Sequence, residues 1–167
     1  MIIFTDVVTN DEVFSDAFDS QTVLDCLVEV NCEMITIKEG EVDIGANASA
    51  EEQAEALEDG AQTVNNLVHT FRLQPTSFDK KTYLTYLKGY MKAIKSHLAE
   101  SNPDRVATFE KQAQEAAKKI VANFKDYEFY VGESMNPDGM VALLNYREDG
   151  TTPFFTFWKD GLKEMKV

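Results

Sequence analysis

The sequence has few residues of the kinds that build catalytic and metal sites. Its 167 residues include two cysteines and two histidines, and its net charge is −13. Cys26 and Cys32 are six positions apart, a spacing that matches no metal or redox motif. His69 and His97 are far apart, and no Ser/His/Asp set or glycine-rich phosphate loop accompanies them. These absences argue against a metal centre and against most enzyme classes.

Long apolar runs and a basic leader are also missing. No window approaches the ~18 apolar residues of a membrane-spanning helix, and the apolar start Met1–Phe4 ends at Asp6 without a basic region. Two cysteines in this length fit a reducing compartment. Phosphate repels so acidic a chain, so we expect no direct binding to nucleic acid. The sequence predicts a cytoplasmic protein without a membrane span.

The scarce basic residues are concentrated in one segment. Arg72–Lys125 contains eleven of the sixteen Lys and Arg residues and five of the 29 acidic ones, so its net charge is +6 and that of the remainder is −19. Within it, apolar residues recur at three- and four-residue steps, as on one face of a helix. Two stretches show this: Leu84, Leu87, Met91, Ile94 and Leu98, then Val106, Phe109, Ala113, Ala116, Ile120 and Phe124. Asn102 and Pro103, a capping residue and a first-turn residue, separate them, which predicts a helical hairpin over 77–124.

Short β-prone segments flank the hairpin. Thr22–Val30 alternates, with Cys26 and Val28 on the same face, and predicts one strand. After the break at Asn31, the apolar residues of 34–37 predict its hairpin partner. Further strands are predicted at Met1–Phe4, Glu12–Phe14, Val64–Leu73, Tyr127–Val131, Met140–Tyr146, Phe154–Trp158 and Leu162–Lys166. Strands interrupted by a helical hairpin indicate an α+β fold with antiparallel sheets.

One stretch of the chain predicts a mobile loop. Residues 38–62 contain eight acidic residues, one lysine and no aromatic residue. This composition buries too little apolar surface to offset the entropy of ordering, although Ala50–Leu57 has the composition of a transient helix. We therefore predict a single domain over 1–167. It comprises a β body at 1–37, 63–74 and 126–167, the acidic loop 38–62 and the hairpin 77–124.

Four strings in the sequence resemble the signatures of a known family. Ile44–Glu51 is similar to the first signature of the translationally controlled tumour proteins, and Phe129–Met135 to the second. Asn136–Met140 and Asn145–Gly150 continue the second signature. The length matches, the resemblance covers the whole chain, and fungal members are the most similar.

The resemblance implies a β-tent body with a projecting helical hairpin and a flexible acidic loop. It implies a non-enzymatic cytoplasmic protein linked to protein synthesis and growth, microtubules, calcium and Ras-type GTPases. The tent also resembles a zinc-binding accessory protein of Rab GTPases, whose paired Cys-x-x-Cys ligands are absent here, so zinc is not expected. It further resembles methionine sulfoxide reductases, in which a thiolate attacks the sulfoxide. Cys26 is the candidate for that role, although its apolar strand indicates a core residue.

A basic stripe on the hairpin is the first candidate site. Lys81, Lys88, Lys92 and Lys95 share one helical face, and Lys118 and Lys119 extend the stripe from the second helix. One interpretation is a docking surface for an acidic partner, and the resemblance implies tubulin. The other is an ordinary solvated helix face.

Acidic residues supply two further candidates. The resemblance implies that Glu12 contacts a small GTPase, with Glu133 and Leu73 on the same tent surface; without it, Asn10-Asp11-Glu12 is simply a solvated turn. The acidic loop offers oxygen ligands for Ca²⁺ in no EF-hand spacing, so we expect weak binding at most. Those ligands are Glu39, Glu41, Asp43, Glu51, Glu52, Glu55, Glu58 and Asp59.

Overall fold

The computed structural model describes residues 1–38, 61–136 and 138–166. In this part of the chain, eleven strands and three α-helices form an α+β fold, as predicted. The strands are β1 (Ile2–Asp6), β2 (Glu12–Ser15), β3 (Ser20–Val23), β4 (Leu27–Asn31), β5 (Met34–Lys38), β6 (Ala61–Asn65), β7 (Gln74–Thr76), β8 (Glu128–Val131), β9 (Ala142–Tyr146), β10 (Pro153–Trp158) and β11 (Leu162–Lys166). The helices are α1 (Asn66–Phe71), α2 (Lys80–Ser101) and α3 (Val106–Ala122).

The described strands pair in three antiparallel sheets. Six strands follow the order β3-β4-β10-β9-β8-β7, three follow β11-β1-β2, and β5 pairs with β6. The chain ends meet in the three-stranded sheet, where Ile2 lies opposite Lys166. All six residues of the central strand β10 are buried, because elements cover both of its faces.

Aromatic side chains connect the layers across the core. Phe14 of β2 stacks on Phe157 of β10 with ring centroids 5.0 Å apart, which joins the three-stranded and six-stranded sheets. The other face of the six-stranded sheet meets the hairpin, where Phe129 lies 5.6 Å from Tyr83 and 5.2 Å from Phe124. The core of this sheet includes the buried aromatic residues of β10, which are Phe154, Phe155, Phe157 and Trp158.

The single strand predicted over Thr22–Val30 is wrong. The structure has a hairpin there, since β3 and β4 pair antiparallel around a turn at 24–26. Leu24 and Asp25 have positive φ angles of 53° and 59°. Glycine adopts such angles most readily, and neither position is a glycine or an asparagine, so the sequence did not indicate this turn. The partner predicted for this strand is also wrong, because β5 pairs with β6 rather than with β4.

The strand predicted over Val64–Leu73 is wrong, because the end of strand β6 and helix α1 occupy most of this segment. Strand β6 ends at Asn65, whose side chain accepts hydrogen bonds from the backbone N–H groups of Leu67 (2.9 Å) and Val68 (3.2 Å). This cap starts α1, which ends at Arg72 in the left-handed conformation, φ 57°. The β body of 63–74 therefore contains a helix.

The helical hairpin is confirmed. Asp79 caps α2 by accepting a 2.7 Å hydrogen bond from the Thr82 N–H, and this bond lowers the pKa of the Asp79 carboxyl. A 3-10 turn at Pro103–Arg105 joins α2 to α3. The Asn102 side chain makes no capping hydrogen bond, contrary to the prediction.

The buried face of α2 is turned slightly from the predicted one. Its buried residues are Tyr83, Leu87, Tyr90, Ile94 and Leu98. Leu84 is 37% exposed and Met91 is half-buried. The rotation arises because two tyrosines, rather than these two apolar residues, complete the core-facing stripe.

Most of the predicted acidic loop lies outside the described residues. This applies to the proposed transient helix over 50–57 and to the first signature, Ile44–Glu51. At its two ends, Lys38 pairs with Ala61 and Ile37 with Gln62 in the β5–β6 ladder. The loop boundaries at 38 and 62 therefore move inward.

Candidate functional site

Three tyrosines fix the orientation of α2 on the body. Tyr83, Tyr86 and Tyr90 are spaced so that they lie along one side of the helix. The Tyr86 hydroxyl donates to the Gly139 carbonyl at 2.7 Å and accepts from the Val141 N–H at 3.0 Å. These bonds place α2 against the segment before β9.

The Tyr90 hydroxyl donates to a buried carboxylate in the body. Its acceptor is Asp6 Oδ1 at 3.0 Å, and Asp6 is 2% exposed. The same carboxylate accepts from the backbone N–H groups of Val8 at 3.0 Å and Met140 at 2.7 Å. Burial, followed by the charge of Asp6, raises the pKa of Tyr90 well above its ordinary value, so the hydroxyl keeps its proton and remains a donor.

Arg105 binds the connection between α2 and α3 to the body. Its guanidinium donates to both carboxylate oxygens of Asp160 at 3.0 Å. It also donates to Asp25 Oδ2 at 2.8 Å and to the Asp25 carbonyl at 2.5 Å. Such forked, charge-assisted bonds fix geometry as well as contributing energy. The hairpin is thus held both by its tyrosines and at its turn.

This anchoring determines which side of α2 faces solvent. Lys81, Lys88 and Lys92 are exposed and lie on a side of the helix that the buried tyrosines do not share, because residues seven and four apart return to the same face. We call Lys81, Lys88, Lys92 and Lys95 the lysine face. Its first three members are free to meet an acidic surface.

The remaining predicted lysines are placed differently. Lys95 Nζ forms a 3.1 Å ion pair with Glu110 of α3, so part of its charge is already balanced. This pair marks the side of α3 that meets the lysine face. Lys119 is nine residues from Glu110, about two and a half turns, and therefore lies on the opposite side of α3. Lys118 and Lys119 are both exposed, but Lys119 does not extend the lysine face.

A second surface brings together Glu12 and Glu133, which are 121 positions apart in the chain. Both line a cleft of about 700 Å³, which we call the first cleft. Arg72 lines it too, and its guanidinium lies 3.4 Å from Glu133 Oε1. Ile3, Phe18 and Phe71 supply apolar lining. The cleft thus combines apolar walls with carboxylates that are open to solvent.

Asp11, which lines this cleft, lies close to the segment 132–134. The Asp11 carboxylate accepts a 2.6 Å hydrogen bond from the Ser134 hydroxyl. A Cβ on Gly132 would lie 2.7 Å from the Asp11 Cβ, so only glycine permits this close approach. The resemblance implied that Leu73 also lies on the GTPase-binding surface, but Leu73 is 3% exposed and lies in the core. Its neighbour Arg72 reaches the cleft instead.

The two cysteines are buried thiols. Burial raises the pKa of Cys26 to about 11 and that of Cys32 to about 12. Both thiols are therefore protonated at neutral pH, and the thiolate is the nucleophilic form. Such an environment is typical of structural cysteines rather than of a sulfoxide-reducing thiolate.

The described part of the chain contains neither a cluster of metal ligands nor a membrane-spanning helix. Within 1–38, 61–136 and 138–166, no three His, Cys, Asp or Glu side chains are grouped to hold a metal ion. The eight candidate calcium ligands between Glu39 and Asp59 lie outside these ranges. None of the helices in the described ranges is long and apolar enough to cross a membrane.

Fold and surfaces together define a class of protein: an α+β domain in which antiparallel sheets and a docked helical hairpin expose two charged surfaces. The family model of the translationally controlled tumour protein matches residues 1–163. A homologue from Yarrowia lipolytica is 65% identical, with both chains fully covered. The solved structure of the Schizosaccharomyces pombe protein p23fyp is 60% identical with a TM-score of 0.84, covering both chains completely. A Caenorhabditis elegans structure is 32% identical, covering 100% and 99% of the two chains, with a TM-score of 0.73. The chain belongs to the translationally controlled tumour protein family.

Sequence reasoning missed several residues that organise these surfaces. Tyr83, Tyr86 and Tyr90 carry a signal, because aromatic residues at steps of three and four mark one side of a helix. Arg72 and Arg105 carry none, since their partners are distant in the chain. Only the tertiary structure identifies them.

Proposed function

We propose that this chain is a non-enzymatic, cytoplasmic and cytoskeleton-associated binding protein that stabilises microtubules through the lysine face. The observation that carries this proposal is the exposure of Lys81, Lys88 and Lys92 together on α2. Opposite charge speeds encounter and makes binding sensitive to salt. A role in protein synthesis and growth control, with the translation machinery as a partner, and weak calcium binding belong to the same proposal. Family membership supports them.

A pair of matched charge reversals tests the lysine face. Co-sedimentation with microtubules is compared for wild type, Lys88→Glu with Lys92→Glu, and Lys118→Glu with Lys119→Glu. Both double variants change the net charge equally. We expect the α2 variant to bind about tenfold more weakly, a change of about 1.4 kcal/mol, and the α3 variant to lose clearly less. Equal losses would contradict docking by the lysine face, because they would reflect total charge alone.

A second proposed function is regulation of a small Ras- or Rab-type GTPase, including exchange-factor-like activity, through the first cleft. Glu12 and Glu133 share this cleft, which supports a common role that the chain order does not suggest. No hydrogen-bond or ion-pair partner of the Glu12 carboxylate occurs among the described residues. Its carboxylate is thus available to a Lys or Arg of a switch region.

Substitution of Glu12 tests this function. In a titration with the GTPase, Glu12→Val is expected to abolish binding and any acceleration of nucleotide release, because the exposed carboxylate that would pair with a basic residue of the GTPase is lost. Glu128→Val is the control, since Glu128 is also the exposed first residue of a strand. The unfolding midpoint of each variant checks the fold. Wild-type affinity of Glu12→Val would exclude the cleft as the GTPase site.

A further inference from the structure

The first cleft has a neighbour on the other side of Phe18. This second cleft has a volume of about 740 Å³ and shares Ala17 and Phe18 with the first. Its lining includes Asp19, Glu33 and Met34. The two clefts are therefore adjacent and meet at Ala17 and Phe18.

The Phe18 side chain, which lines both clefts, packs on helix α1. The Phe18 ring packs against Phe71 of α1, with ring centroids 6.0 Å apart. Phe18 and Phe71 are both half-buried, so each presents part of its ring to solvent. In the second cleft Met34 is 47% exposed. Apolar surface thus continues from one cleft to the next.

The charges around this apolar surface are almost all of one sign. The acidic residues that line the two clefts are Asp11, Glu12, Asp19, Glu33 and Glu133. Arg72 is the one basic side chain among the described lining residues, and it is paired with Glu133. The second cleft has acidic but no basic residues in its described lining. Its carboxylates therefore favour a cationic occupant.

We propose that the two clefts form one groove for an extended segment of a partner protein in which basic and apolar side chains alternate. Side chains two positions apart in an extended segment project in the same direction at about 7 Å, so its apolar residues can contact the apolar surface of both clefts while its basic residues, on the other edge of the segment, reach the carboxylates. Lysine and arginine stems lie along apolar surface while their heads reach carboxylates. A second copy of this chain fits less well, because two molecules of net charge −13 repel.

The proposed groove rests on the proposed GTPase function only in its first cleft, where Glu12 lies. It adds a second binding compartment at Asp19, Glu33 and Met34, and names the chemistry of the segment that fills it. The two ideas can therefore fail separately.

A peptide titration tests the groove. The probe is a labelled peptide of about ten residues alternating lysine with leucine, compared with glutamate–leucine and lysine–serine versions of the same length. We expect the lysine–leucine peptide to bind at least tenfold more tightly than either, with affinity falling as salt rises. Equal binding of the lysine–serine peptide would overturn the groove, because the apolar surface would contribute nothing.

Substitutions in the groove test whether the peptide binds there. Asp19→Asn with Glu33→Gln is expected to weaken the lysine–leucine peptide about tenfold, a change of about 1.4 kcal/mol. The control with the same charge change is Glu115→Gln with Glu128→Gln, both exposed and outside the groove. Met34→Ser, at a position that is 47% exposed, is expected to weaken binding as well. An equal loss in the control would show general attraction to an acidic protein and would overturn the inference.

The same variants separate this inference from the GTPase proposal. In one outcome, Glu12→Val loses GTPase binding, whereas Asp19→Asn with Glu33→Gln keeps it and also binds the peptide as tightly as wild type. This outcome would exclude the groove and keep the first cleft as the GTPase site. Groove-dependent peptide binding without any GTPase binding would remove the proposed function and support the groove. Dimers of the protein alone in sedimentation, dissociated by the peptide, would instead indicate a second copy as the occupant and contradict the proposal.

Discussion

At the scale of single residues, Arg105 holds the connection between α2 and α3 against the body. Its side chain is 16% exposed and its partner Asp160 is 9% exposed, so their ion pair is shielded from solvent. Breaking such a pair leaves a buried charge without a partner, which is costly. Arg105 therefore contributes to stability and also fixes the position of the hairpin turn.

Replacing Arg105 tests this role. Arg105→Gln is expected to lower the free energy of unfolding by about 2–4 kcal/mol, because Asp160 loses a charged donor. Urea unfolding measures the change, and Lys111→Gln, which removes an exposed cation from α3, is the control. Identical unfolding midpoints for wild type and Arg105→Gln would contradict the assignment.

The same substitution has a defined pH dependence. The hydrogen bond from Arg105, and then its charge, lower the pKa of Asp25 below its ordinary value of 3.8. A lowered pKa means that this stabilisation is present above the unfolded value and is lost as pH falls through the folded one. The stability difference between wild type and Arg105→Gln should therefore shrink below pH 3.8. A difference that grows on acidification would contradict this linkage.

At the scale of elements, the β3–β4 turn has a backbone conformation that its own residues disfavour and that contacts with the rest of the fold stabilise. Leu24 and Asp25 are both left-handed, although a leucine pays about 1–2 kcal/mol for this conformation. Arg105 grips the Asp25 carbonyl and carboxylate, and register pairs Val23 with Leu27 across the turn. Contacts from outside the hairpin thus hold a conformation that the local sequence disfavours.

Relieving the strain at Leu24 should stabilise the protein. Leu24→Asn is expected to raise the free energy of unfolding by about 0.5–1 kcal/mol, since asparagine tolerates left-handed backbone better than other non-glycine residues. Leu24→Ala is the matched control, because it removes the same exposed side chain without that preference. Thermal unfolding measures both. A Leu24→Asn variant no more stable than Leu24→Ala would show that the turn is not strained.

Helix α2 shows how one element serves packing and binding at once. Tyr86 and Tyr90 make hydrogen bonds to the body, and the lysine face lies on another side of the helix. The helix is thereby fixed in rotation, since turning it would break the bond between Tyr90 and Asp6. Where the lysine face points is a consequence of the buried tyrosines.

At the scale of the whole molecule, charge is separated between the hairpin and the rest. The segment Arg72–Lys125 is +6 and the remainder is −19. The two proposed surfaces therefore select opposite partners, an acidic one for the lysine face and a basic one for the groove. Salt should weaken both, because both depend on exposed charges.

Several features of the fold could be predicted from the sequence. The hairpin, the antiparallel sheets and the family follow from helical spacing, alternation and the signature strings, and the structure and the comparisons confirm them. For the candidate surfaces, spacing alone places Lys81, Lys88 and Lys92 on one helical side. The resemblance pointed to Glu12 and Glu133, but their meeting with Arg72 in one cleft required the structure. Leu73 was misplaced, because burial depends on what packs over a residue.

The sequence by itself determined what local periodicity and composition encode: two amphipathic helices, the core strands and the basic character of the hairpin. Only the tertiary structure decided the turn at Leu24 and Asp25, the pairing of β5 with β6, and the clefts on either side of Phe18. The reason is physical. Periodicity reports which residues share a face of one element, whereas turns, strand partners and clefts depend on contacts between residues far apart in the chain.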